Sequence, residues 1–178
     1  MKFIETPIQG LWIIEPRIFE DERGFFMETY HQEKFREHGI TAPFVQQNHS
    51  HSKRGVIRGL HYQTPPFEQG KLVSVTHGEA FDVAVDIRPS SPTFGKWFGI
   101  TLSSENHRLF YIPPGFAHGF CAISDAVDFF YSCTNIYSPA HESGIAWDDP
   151  AIGIKWPTIS PIVSLKDIKL PSLNCINN

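Results

Sequence analysis

Residues 79–88, EAFDVAVDIR, alternate with a period of two: Phe81, Val83, Val85 and Ile87 fall on one face of an extended chain, and Ala80, Asp82, Ala84 and Asp86 on the other. That period belongs to a half-buried β-strand, not to a helix. Residues 127–137, VDFFYSCTNIY, repeat it. If that segment stays extended, Phe129, Tyr131, Cys133, Asn135 and Tyr137 share one side, and two tyrosines line one surface. Outward from these runs, 13 Gly and 14 Pro punctuate short stretches rich in Val, Ile, Phe and Tyr. Helical signal is confined to residues 31–39, HQEKFREHG, ended by Gly39, and to a turn around SLKD at residues 164–167. Neither forms a layer of its own. No repeat, low-complexity tract or break in composition divides the chain. The expectation is one all-β domain over residues 1–178, a sandwich or jelly-roll barrel with a few short peripheral helices and a ligand site at its mouth.

The 178 residues suffice to bury a core, and 41% hydrophobic with 19% charged side chains is ordinary globular composition, which excludes disorder and coiled coil. The net charge of -4, with no Lys/Arg block longer than two residues, argues against nucleic acid or an acidic membrane surface as partner. An anionic ligand then needs a local basic pocket. The apolar run MKFIETPIQGLWIIEP is interrupted by Glu5 and Pro7 and falls short of a signal sequence or a membrane span, so a cytoplasmic protein is expected. Cys121, Cys133 and Cys175 form no CxxC pair and read as small buried hydrophobes.

Candidate chemistry concentrates in residues 46–72, QQNHSHSKRGVIRGLHYQTPPFEQGKL, which set His61 among Arg54, Arg58 and Lys71. A base beside fixed positive charge suits removal of a proton from a carbon next to a carbonyl, with the cations stabilising the anion that forms. The same pattern also fits a hydrogen-bonded core histidine on a strand with an ordinary solvated face. Strict alternation from Val56 separates Arg58 from His61, and a bulge at Gly59 would bring them to one side. Tyr131 fits either a general acid in a dry pocket or a core aromatic. In YIPPGFAHGF, residues 111–120, the spacing PxGxxH ending at His118 resembles the second motif of the cupin superfamily. Metal-binding cupins add an HxH pair and a Glu. Here the corresponding strand reads RGLHYQ, and the only HxH, His49-Ser50-His51, lies in a polar stretch before it, so no metal is expected. Nor does the chain carry a Ser/His/Asp grouping, a P-loop or a dinucleotide fingerprint.

Together, FEDERGFFMETY, FVQQNHSHSKRGVIRGLHYQ, QGKLVSV, DVAVDIRPSSPTFGKW, IPPGFAHGF, the tyrosine pair, HESGIAWDDPAIGIKWP and SLKD resemble the dTDP-4-dehydrorhamnose 3,5-epimerase family, in order from about Arg17 to Asp167. The resemblance implies a cupin jelly roll, a homodimer with exchanged N-terminal strands, and no metal or nucleotide cofactor. It implies inversion of carbons 3 and 5 of dTDP-4-dehydro-6-deoxy-D-glucose. On this sequence His61 corresponds to the base, Asp167 to the carboxylate that orients it, Tyr131 to the proton donor and Lys71 to a cation near the enolate oxygen. Tyr137 corresponds to a tyrosine stacking on the ligand. Arg23, Glu28, Gln46, Gln47, Asn48, Arg58, His118, Glu142 and Lys166 correspond to further substrate-contacting positions. Gln47 stands where many members carry Asp, and Ser132 follows Tyr131 where a basic residue is frequent. Three alternatives stay open: a relative inverting one carbon or using another 4-keto sugar nucleotide, a metal-dependent cupin, and a sugar-binding module without chemistry.

Overall fold

Short runs of period-two patterning, each closed by a turn residue, become 14 strands in the computed structural model, which describes residues 1–176. In chain order they are β1 (Lys2–Glu5), β2 (Trp12–Glu15), β3 (Ile18–Asp21), β4 (Gly24–Met27), β5 (Gln46–Lys53), β6 (Val56–Gln63) and β7 (Lys71–His77). The remainder are β8 (Glu79–Asp86), β9 (Trp97–Ser103), β10 (Leu109–Ile112), β11 (Phe116–Ala122), β12 (Ala126–Cys133), β13 (Glu142–Gly144) and β14 (Ile162–Val163). One helix, α1 (Gln32–Arg36), precedes Gly39, whose φ of 78° ends it, and SLKD runs into a single turn of 3₁₀ helix, Asp167–Lys169.

Twelve of the strands form two sheets facing each other, as in a jelly roll, while β3 and β4 pair with each other as a separate hairpin. The first has the order β1-β2-β10-β7-β12-β5; the second is β13-β6-β11-β8-β9, with β14 added in parallel beside β6. Between them Val73, Val75, Phe110, Ile112, Val127 and Phe129 of the first sheet meet Ala80, Ala84, Leu102, Phe116 and Phe120 of the second. Phe120 and Phe129 stack with ring centroids 4.1 Å apart, each burial contributing about 2–3 kcal/mol.

The reading of residues 79–88 as a half-buried strand needs correction, because β8 is buried on both faces. Its bulky side, Val83 and Val85, packs outward with Leu60 and Ala117 against Ile145, Ile152 and Leu173 of the chain's C-terminal part. Its small side, Ala80 and Ala84, faces the inter-sheet core, taking Asp82 and Asp86 with it to complete burial. Periodicity separated the two faces without showing that a later segment covers the outer one. The outer face of the first sheet is covered in part by α1, whose Phe35 packs against Ile14, Leu72 and Leu109.

Candidate active site

The inter-sheet space opens into a cavity of about 510 Å³, and β6 is the strand that shapes it. Its register with β11 places His118 opposite His61 and Phe120 opposite Arg58, so Gly59 and Leu60 stand against Gly119 alone. This is the bulge anticipated at Gly59. Gly59 has φ of 134°, and a Cβ there would lie 2.6 Å from Gly119 Cα and 2.9 Å from His118 O, which leaves glycine as the residue that fits. The extra residue brings Arg58 and His61 to the same cavity. Arg58 Nε donates to the buried Ser52 Oγ at 3.0 Å and its Nη2 to His51 O at 3.1 Å, which fixes the guanidinium against β5.

His61 Nε2 donates to Asp167 Oδ1 at 2.7 Å across 106 positions of sequence. Asp167 is held in turn: Gly59 N–H donates to its carboxylate Oδ2 at 3.4 Å, and its own main-chain N–H donates to Ser164 Oγ at 3.0 Å. Two residues of β14, paired with Val56 and Ile57, deliver this turn to β6. Burial pushes the Asp167 carboxyl up, but the hydrogen bond and charge of His61, with the Gly59 and Ser164 bonds, outweigh it and leave the carboxyl below its usual range. Asp167 is therefore a carboxylate with one oxygen committed to a ring nitrogen, and the tautomer carrying its proton on Nε2 presents a bare Nδ1.

The first sheet supplies the remaining groups. Tyr131 on β12 lies beside Val73 of β7 on one side and Asn48 of β5 on the other, and Lys71 begins β7 beside Cys133. Both line the cavity with His61. Burial pushes the Tyr131 phenol up, with Cys133 and Glu142 adding to it against Arg58, so the hydroxyl keeps its proton at neutral pH. Burial pushes the Lys71 ammonium down, opposed by Cys133, Asp82 and Glu142. His118 bonds through Nε2 to Asp82 Oδ2 at 2.9 Å, and burial, helped by Lys71 and His61, drives its pKa down and favours the neutral ring.

A second hollow of about 290 Å³ adjoins the first and shares His61, Lys71 and Tyr131 with it. Gln46, Asn48, Tyr137 and Glu142 line it. Tyr137 OH donates to Glu142 Oε2 at 2.5 Å, the same oxygen receives Lys166 Nζ at 2.5 Å, and Gln46 Oε1 accepts the Tyr137 N–H at 2.7 Å. β12 ends at Cys133, so Tyr137 reaches this place from a loop and not from the extended run that parity assumed.

The family model described as dTDP-4-dehydrorhamnose 3,5-epimerase matches residues 5–174. This chain belongs to that family. It is 56% identical over 169 residues to a dTDP-4-dehydrorhamnose 3,5-epimerase of Shigella flexneri, covering 94% of this chain and 93% of the relative. Among solved structures, a Legionella pneumophila dTDP-6-deoxy-D-glucose-3,5-epimerase in complex with dTDP-4-keto-L-rhamnose superposes with TM-score 0.95 at 52% identity, covering 98% of this chain and 94% of that one. A 3'-monoepimerase of Streptomyces bikiniensis in complex with dTDP-quinovose gives TM-score 0.91 at 35% identity, covering 97% and 88%.

Of the positions that the resemblance suggested as site residues, eleven gather here within one chain: His61, Asp167, Tyr131, Lys71, Arg58, His118, Lys166, Gln46, Asn48, Tyr137 and Glu142. Three do not. Arg23 sits at the tip of the β3–β4 hairpin, paired with Asp21 at 2.6 Å and 85% exposed; Glu28 pairs with Lys34. Gln47 alternates to the outer face of β5 and bonds Ser132 Oγ at 3.3 Å, so the QQN run is split by strand parity. Arg54 also lies elsewhere, held by Asp125 at 2.9 Å in the turn after β5. Among the described residues no group of three or more His, Cys, Asp or Glu is placed to hold a metal ion. Sequence reasoning missed Ser52 and Asp82, which hold Arg58 and His118; their only signal was an inward parity beside alanine or serine.

Proposed function

We infer that this protein is a dTDP-4-dehydrorhamnose 3,5-epimerase acting without cofactor. It inverts carbons 3 and 5 of dTDP-4-dehydro-6-deoxy-D-glucose to give dTDP-4-dehydro-L-rhamnose, in dTDP-L-rhamnose biosynthesis. The observation that carries this reading is the His61–Asp167 pair, 2.7 Å apart between β6 and the 3₁₀ turn beside it, sharing a cavity with Tyr131 and Lys71 of the facing sheet. The 4-keto group acidifies the hydrogen on each flanking carbon. His61 Nδ1 takes that proton, the C–H electrons move to the keto oxygen, and Lys71 stabilises the enolate. Tyr131 returns a proton to the opposite face, which inverts the carbon, and solvent resets both groups. Asp167 supports the imidazolium while His61 holds the proton. Because both carbons flank one carbonyl, the same groups serve both inversions.

Arg58, His118 and Lys166 are the groups for the sugar and diphosphate, and Tyr137 with Gln46, Asn48 and Glu142 those for the nucleoside. Arg23 and Glu28 line neither cavity of their own chain. A homodimer with exchanged N-terminal strands would carry them to a second site. The exposed Phe19, Phe25 and Phe26 on the hairpin, and a largely apolar groove on the outer face of the first sheet lined by Phe44, Leu72 and Phe130, support that arrangement. Among the described residues no helix is long and apolar enough to cross a membrane, and all three cysteines are free; both fit the cytoplasm.

The test is incubation with dTDP-4-dehydro-6-deoxy-D-glucose in deuterated water, with the ring protons followed by NMR. Deuterium is expected at carbons 3 and 5. Incorporation at carbon 3 alone would make the protein a single-centre epimerase like the Streptomyces bikiniensis relative, and none at either carbon would refute the proposed reaction.

A further inference from the structure

The inward face of β5 carries four polar side chains in a row, Gln46, Asn48, Ser50 and Ser52. Three are used within the protein. Gln46 bonds Asn48 at 3.0 Å and the Tyr137 N–H, Asn48 donates to Cys133 Sγ at 3.8 Å, and Ser52 accepts Arg58. Ser50 is different: the residue lines the large cavity, and its Oγ is buried with no hydrogen-bond partner among the described residues. Its neighbour across the ladder is Phe129, and Val56 and Phe120 share its stretch of wall. A buried hydroxyl left unpaired is costly, and alanine would fit the same place at lower cost. The other such atom, Asp82 Oδ1, belongs to a carboxylate already engaged by His118.

Ser50 lies two residues along β5 from Asn48, the residue opposite Tyr131, so on the same face it is a diagonal neighbour of the proton donor, and both line the cavity. Given the proposed reaction, on which this inference rests, the substrate offers two ring hydroxyls there. The one on carbon 3 changes side when its carbon inverts, and a fixed partner would hold only one of the two configurations. The one on carbon 2 keeps its configuration throughout. We propose that Ser50 Oγ hydrogen-bonds the carbon-2 hydroxyl of the sugar. It thereby anchors the ring while carbons 3 and 5 are inverted, and selects against 2-deoxy sugars.

Wild type and Ser50→Ala are compared without ligand by melting temperature, and on dTDP-4-dehydro-6-deoxy-D-glucose and its 2-deoxy analogue by the kinetics of ring-proton exchange. Ser50→Ala should melt no lower than wild type, since it removes an unpaired group. On the 2-hydroxy substrate kcat/KM should fall about tenfold, mostly through KM, and on the 2-deoxy analogue the two proteins should match. A lower melting temperature, an equal loss on both sugars, or no loss on either would overturn the assignment. If wild type exchanges neither proton, the reaction fails independently. Calorimetric titration with dTDP-L-rhamnose, which keeps the carbon-2 hydroxyl, then decides Ser50: about tenfold weaker binding by Ser50→Ala supports the contact, and equal affinity removes it.

Discussion

His61 and Tyr131 reach the cavity from opposite sheets, and their proposed tasks differ enough to be separated by substitution. Removing the base should stop exchange at both carbons, because each proton leaves through the same nitrogen; His61→Ala is expected to slow deuterium uptake by about 10²–10⁴-fold. Tyr131→Phe should spare uptake more than inversion, so exchange with retained configuration would accumulate. Wild-type inversion rates in that variant would remove Tyr131 from the role. At this scale much was legible. A lone histidine on a strand among cations marked the site, whereas its link to Asp167 came only from family resemblance, since no local pattern connects residues 106 positions apart. Arg54 misled for the converse reason: nearness in sequence put it beside His61, but the tight turn holding it to Asp125 lies outside the cavity.

Strands carry the site by their irregularities. The bulge in β6 exists because Gly59 and Gly119 let two backbones approach where any Cβ would collide, so Gly59→Ala must either regularise the ladder or push β11 away. Either outcome turns Arg58 or His61 out of the cavity. The variant is expected to lose activity to the level of His61→Ala and to unfold more easily by about 2 kcal/mol or more in a denaturant titration. Near-normal activity would show that the bulge is not what aligns the pair. That bulge could be anticipated because strict alternation and a shared site were incompatible, and glycine stood between them. The two-sided burial of β8 could not, since nothing in residues 79–88 tells which later segment will lie upon Val83 and Val85.

The same strand ends in a polar knot. Asp86 is fully buried and accepts from Arg88 Nη2 at 2.6 Å, Ser91 Oγ at 2.5 Å and Thr93 Oγ1 at 2.6 Å, tying the loop before β9 to the sheet. Burial alone would raise its pKa; the hydrogen bonds outweigh it and bring the carboxyl down from 3.8 to about 2. A carboxyl with a depressed folded-state pKa stabilises the protein above its unfolded value, and that contribution is lost as pH falls toward the folded one. The expected loss is about 2 kcal/mol between about pH 4 and pH 2. Urea midpoints across that window should show it in wild type and not in Asp86→Asn; identical pH profiles would refute the linkage.

Taken whole, the molecule has an all-β frame that composition and periodicity made readable, and an N-terminal arm that they did not. Phe26, 70% exposed on β4 opposite Phe19, leaves an apolar face of the β3–β4 hairpin open to solvent. The mass in solution should be twice the 20.2 kDa of one chain, and Phe26→Asp should shift it toward the monomer while weakening nucleotide binding through loss of Arg23 and Glu28. A monomeric wild type with full affinity would exclude the exchange.

The 106-position span between His61 and Asp167 also bears on how activity is acquired. Closing so long a loop is entropically among the last events a chain of this kind completes, and high-contact-order sheets fold slowly. A refolding chain can therefore regain its β-sheet signal and bury its aromatic residues while still inert. Return of turnover would clock the docking of its C-terminal turn onto β6, which makes the enzyme its own reporter of the final folding step.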